Sequence, residues 1–141
     1  MSVTDFFDSN VLVYAFYTRD QRRNAIADAL LVQAQREHSA IISYQVVQET
    51  LNVLTRKLTP RLTAAEARDI LLDVLAPLWR IHPSSALYSR ALSIQERYGY
   101  SFYDSLVIAA ALEGGCARLL SEDLQHGQQI EGLTIKNPFT D

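Results

Sequence analysis

The chain has 141 residues, 48% hydrophobic and 9% aromatic, enough for the core of one domain and too short for two full ones. Charged residues make up 21% and no low-complexity tract or internal repeat occurs, which argues against disorder. The net charge of −3 weighs against a generally basic nucleic-acid surface, and a lone cysteine, Cys116, rules out an intrachain disulfide and a thiolate metal cluster.

Residues 4–7 carry two phenylalanines and read as a short buried strand running into Asp8-Ser9-Asn10, a turn or helix cap. Polar residues 18–23 lead into a helix with Ala25, Ala29, Leu30 and Val32 on one side. Residues 40–42 form a second strand, and Ser43-Tyr44 is a helix start. Over 45–58 the spacing of Val47, Leu51, Leu54 and Leu58 predicts an amphipathic helix, ended by Pro60. Thr63 with Glu66 makes a capping box for a helix carrying Ile70, Leu71, Val74 and Leu75, closed by Pro77. Residues 78–81 are a third strand. Ser84 or Ser85 then begins a helix reaching Tyr98, with Gly99 as its stop. Ser101 caps a very apolar helix over 102–112, halted by Gly114-Gly115, and residues 117–120 and 133–136 are the last strands.

Short apolar strands separated by helices predict an α/β fold with a mainly parallel sheet. In such sheets ligands bind beyond the carboxyl ends of the strands. Residues 1–5 show no basic segment leading into an apolar stretch, and the longest apolar run, 106–112, is too short for a bilayer. The expectation is a soluble, cytoplasmic protein without a membrane partner.

Asp8, Asp104 and Asp123 fall at element boundaries, where an α/β sheet builds its sites. Each also has a plain structural reading. Asp8 can cap a helix, Asp104 completes an S-x-x-D capping box with Ser101, and Asp123 can serve a turn. Glu49 lies on the 45–58 helix, off the stripe centred on Leu54, with Asn52 placed to orient it. Glu122 adjoins Asp123, and on an extended segment only one of the two points into a site. Gathered carboxylates repel one another and call for cations; hard ions such as Mg²⁺ or Mn²⁺ suit oxygen ligands. Arg19, Arg22 and Arg23, and Arg56, Lys57 and Arg61, form small basic groups that read either as solvated helix faces or as phosphate contacts.

Other chemistries find no support. His38, His82 and His126 lack zinc-ligand spacing, no phosphate-binding glycine loop occurs, and no G-x-S-x-G elbow is present. Ser9 has no evident base partner.

The pieces Phe7-Asp8-Ser9-Asn10-Val11-Leu12, Gln48-Glu49-Thr50-Leu51-Asn52-Val53, Ser101-Phe102-Tyr103-Asp104-Ser105-Leu106 and Leu120-Ser121-Glu122-Asp123-Leu124 resemble, in order, the four motifs of the PIN domain, and most closely the VapC-type toxins of bacterial toxin–antitoxin pairs. The resemblance covers essentially the whole chain, 1–141, as a single PIN domain. It implies a three-layer α/β/α fold and an endoribonuclease that hydrolyses RNA with Mg²⁺ or Mn²⁺. It further implies that Asp8, Glu49, Asp104 and Asp123 position the metal, with Ser9 and Asn10 holding Asp8 or the scissile phosphate. A homodimer and a small antitoxin that blocks the acidic groove, often with a basic side chain, are also implied. Some family members carry a further acid where this chain has Gln125, which leaves one-metal and two-metal schemes open. Two alternatives remain at this point. One is a PIN-like binding module without catalysis. The other is a receiver-type phosphorylation domain, which Lys136 before Pro138 loosely fits but Ser9 after Asp8 does not.

Overall fold

The computed structural model describes residues 4–17 and 19–140; Thr18, in the polar stretch before the second helix, lies outside them. Six strands form one sheet: β1 (Asp5–Phe7), β2 (Ala40–Ser43), β3 (Trp79–Ile81), β4 (Arg118–Leu120), β5 (Gln129–Ile130) and β6 (Leu133–Lys136). Their order is β3-β2-β1-β4-β6-β5, and every pairing is parallel except β5 with β6. The helices are α1 (Ser9–Phe16), α2 (Gln21–Glu37), α3 (Tyr44–Asn52), α4 (Ala64–Ile70), α5 (Ala76–Leu78), α6 (Ser85–Tyr98) and α7 (Phe102–Glu113). The predicted α/β architecture is therefore present.

From β1 the chain moves outward to β2 and β3, then returns to β4 on the other side of β1. Parallel crossovers are right-handed, so reversing direction moves the connecting helices to the opposite face. The α6–α7 pair thus covers one face and α1 to α5 the other, which makes three layers. The central strands β1 and β2 are buried at every position, as strands covered on both faces must be. Helix α7 is buried without a break from Ser105 to Ala111, sandwiched between α6 and the sheet.

Several helix starts are set locally. Ser43, Ser84 and Ser101 each accept a backbone N–H as N-caps, and Thr63 with Glu66 forms the full reciprocal box. Gly99 ends α6 at φ 80°, where only glycine is unstrained.

Other expectations need correction. In α2 the buried stripe is Ala27, Leu31 and Ala34, while Ala25, Ala29 and Val32 face outward. An alanine-rich helix offers two weak stripes, and the one flanked by Ile26 and Leu30 covers more apolar surface. The 45–58 helix changes form, because Val53–Lys57 is a π-helical turn continuing α3, and Leu71–Leu75 continues α4 likewise. Pro77 does not stop the chain's helical path. It sits in the first turn of α5, where its missing N–H is not needed. Strand β5 went unforeseen, since two residues show no alternation.

Among the described residues no helix is long and apolar enough to cross a membrane. At the amino-terminal end of the sheet, Arg118 on β4 grips Asp5 on β1 through two bonds of 2.8 Å each. Asp5 is only 7% exposed, so losing its partner strands a carboxylate in the interior. Arg118→Ala is expected to lower stability in urea unfolding by about 1–2 kcal/mol, between the exposed and buried limits for such pairs.

Candidate active site

The turn in strand order lies between β1 and β4. The crevice beyond their carboxyl ends is the place where an open parallel sheet binds ligands. Asp8 directly follows β1, and Ser121, Glu122 and Asp123 directly follow β4. The two ends are joined by the Asp8 N–H, which donates to Leu120 O at 3.0 Å.

Asp8 is the N-cap of α1, its Oδ1 accepting from Ser9 N at 2.8 Å. Its other oxygen accepts from the Ser121 hydroxyl at 2.8 Å. Ser121 is fully buried and also accepts from the Asp123 N–H at 3.1 Å and from Asn10 Nδ2 at 3.4 Å. One hydroxyl thus fixes Asp8, Asn10 and the Asp123 backbone together.

Ser9 and Asn10, the first residues of α1, reach the remaining acids. Ser9 Oγ donates to Glu49 Oε2 at 3.2 Å, and Asn10 Nδ2 donates to Asp123 Oδ2 at 3.2 Å. Asp8, Glu49 and Asp123 are therefore linked through Ser9, Asn10 and Ser121. Ser9, Asn10, Glu49 and Asp123 line one cavity of about 440 Å³, with Tyr14 and Tyr17 on its wall.

Glu122 turns the other way. It accepts from Tyr14 OH at 2.9 Å and from Arg23 Nε at 2.5 Å, and Arg23 also bonds Asp20. Arg22 donates to Phe139 O at 2.7 Å. Arg22 and Arg23 are thus engaged in holding α2 to the carboxyl edge of the sheet, while Arg56, Lys57 and Arg61 are exposed.

Asp104 stands in the first turn of α7. Ser101 Oγ accepts from its N–H, yet among the described residues the return bond of a capping box is absent and no hydrogen bond joins its carboxylate to the other three acids. What ties its neighbourhood to the site is Gln45, one turn before Glu49, whose Nε2 donates to Tyr103 O at 3.2 Å.

The electrostatics are those of an uncompensated site. Asp8 is 6% exposed, and burial pushes its carboxyl up to about 6. The Ser121 hydroxyl and Ser9 N–H oppose that rise, whereas Glu49 and Asp123 add to it by repulsion. Among the described residues none of these three carboxylates pairs with an arginine or lysine. An all-oxygen, negatively charged donor set of this kind fits a hard divalent cation. Among the described residues no three His, Cys, Asp or Glu side chains stand close enough together to hold a metal ion.

A family model of the PIN domain matches residues 6–128. The chain belongs to the PIN domain family. Solved structures share its fold at low identity. A toxin–antitoxin complex from Klebsiella pneumoniae is 17% identical, over 96% of this chain and 98% of that one, with a TM-score of 0.67. VapC20 of Mycobacterium tuberculosis, described as a sarcin-ricin loop cleaving toxin, is 23% identical over 82% and 87%, with a TM-score of 0.62. FitAcB from Neisseria gonorrhoeae is 16% identical over 96% and 99%, with a TM-score of 0.63. A comparison with curated protein sequences returns no match.

Sequence reasoning gave no role to Ser121, the hub of this PIN site. Its only signal was a polar residue directly after an apolar strand. Tyr14 and Arg23 were likewise missed as partners of Glu122.

Burial pushes the Asp8 carboxyl of the folded chain from its ordinary 3.8 up to about 6. Between those values the native chain keeps a proton that the unfolded chain releases, so stability falls as pH rises through the window. With divalent ions chelated, Asp8→Asn is expected to melt above the wild type at pH 7, by up to about 2–3 kcal/mol. The two melting curves should converge below the unfolded value of 3.8.

Proposed function

We propose that this PIN domain is a Mg²⁺- or Mn²⁺-dependent endoribonuclease, the toxin of a type II toxin–antitoxin module. The single observation that carries the reading is the buried, uncompensated Asp8 carboxylate tied to Glu49 and Asp123 at the strand-order reversal. Asp8, Glu49, Asp104 and Asp123 are the metal-positioning residues in this scheme. Ser9 and Asn10 orient the Glu49 and Asp123 carboxylates and face the scissile phosphate.

A divalent ion held there supplies a water acidic enough to attack a phosphodiester near neutral pH and neutralises charge on the phosphate. The chain's own residues then have limited tasks. Ser121 and the Ser9 N–H hold Asp8 in one orientation, and Asn10 keeps Asp123 turned toward the cavity. The Tyr14 and Arg23 bonds retain Glu122 away from it. Asp104, in the first turn of α7, is the acid that this scheme draws from the α6–α7 layer.

The assembly that goes with this reading is a cytoplasmic homodimer held in check by a small antitoxin. Support for the antitoxin comes from the Klebsiella pneumoniae neighbour, which is described as a toxin–antitoxin complex. Of the two basic groups, Arg19, Arg56, Lys57 and Arg61 are exposed and available to meet RNA phosphates, whereas Arg22 and Arg23 have structural partners.

Mn²⁺ is expected to raise the wild-type melting temperature in proportion to the logarithm of its concentration once above the dissociation constant, and to leave Asp8→Asn unmoved. RNA cleavage with Mg²⁺ or Mn²⁺ should fall at least a hundredfold in Asp8→Asn. Wild-type cleavage by that variant would sink the assignment. Absence of cleavage by the wild-type chain, with RNA binding retained, would favour a binding module instead.

A further inference from the structure

A second cavity, of about 340 Å³, adjoins the acidic one and shares Glu49 as a wall. Its other walls are Gln45, Gln48 and Tyr103. Three features set it apart. Tyr103 is 69% exposed, the most exposed large hydrophobic side chain among the described residues. Its ring is braced edge-on against Phe102 at 5.7 Å, and Phe102 packs against Tyr88 at 6.4 Å. The platform is therefore exposed on one side and supported on the other.

Gln45 supplies the third feature. It is 5% exposed, and while its Nε2 is used by Tyr103 O, its Oε1 has no hydrogen-bond partner. A buried acceptor left unpaired is costly, which makes this amide a polar group at the cavity wall with capacity to spare. Gln48, exposed on the next turn position of α3, adds a second amide at the rim. An aromatic face beside amide donors and acceptors is the chemistry that holds an unpaired nucleobase, by stacking and by bonds to its edge.

We infer that this cavity seats the base of a nucleotide next to the scissile phosphate, stacked on Tyr103 with its edge facing the side-chain amides of Gln45 and Gln48. The inference rests on the nuclease reading above. A strand whose phosphate meets Asp8 and Asp123 passes Glu49 and brings its neighbouring nucleotide over Gln45 and Tyr103. Tyr103 is a specificity-determining residue in this account, not a catalytic one.

The test uses the full chain, Tyr103→Leu and Tyr103→Phe with short single-stranded RNAs carrying 2-aminopurine or an abasic site at successive positions. Binding is read by fluorescence with Ca²⁺ in place of Mg²⁺ or Mn²⁺, and cleavage is assayed separately. Tyr103→Leu should bind about tenfold more weakly, with Tyr103→Phe close to wild type. An abasic site at one position should weaken wild-type binding about tenfold and cost Tyr103→Leu little more, since the two changes remove the same contact. Equal abasic penalties in both proteins, wild-type affinity in Tyr103→Leu, or no RNA binding by the wild type would overturn the inference. Tyr103-dependent binding without cleavage in Mg²⁺ or Mn²⁺ would overturn the nuclease reading alone.

Discussion

The bond between the Ser121 hydroxyl and the Asp8 carboxylate spans the reversal in strand order, and the site is arranged around it. Parallel pairing sets Phe7 opposite Leu120, so the residues that follow, Asp8 and Ser121, leave the sheet side by side. A carboxylate in that position is withdrawn from water, and only local donors make it tolerable. Ser121 donates from the β4 side and the first amide of α1 from the β1 side. The same hydroxyl accepts from Asn10 and Asp123, so fixing Asp8 also fixes its neighbours.

The balance of forces at Asp8 leaves it short of full compensation. Two charge-assisted bonds do not offset burial and two like charges, and the carboxyl is pushed up to about 6. A fold seeking stability alone would place an arginine there, as it does for Asp5 with Arg118 and for Glu122 with Arg23. Asp5 on β1 and Glu122 just after β4 receive arginine partners; among the described residues Asp8, Glu49 and Asp123 do not. The contrast within one molecule is the physical reason for reading the second set as functional.

Much of the fold was legible because it is written in local chemistry. Caps at Ser43, Thr63, Ser84 and Ser101, the stop at Gly99 and the apolar strands all act over a few residues. The misreadings arose where distant packing decides. The buried face of α2, the π-helical turns and the short β5 depend on what each segment meets, not on its own periodicity.

For the site, the sequence by itself determined the ingredients: which acids sit at the ends of strands and helices, and the four short motifs that carry them. It also carried the family, since the four motifs are short stretches in a set order. Tertiary structure alone decided how the acids are used. Parallel pairing of β1 with β4 makes Ser121 the bridge, and only the packed chain separates Asp123 from Glu122 and puts the Gln45–Tyr103 contact between α3 and α7 beside Glu49. These contacts join residues more than fifty positions apart, and no local propensity encodes such distances.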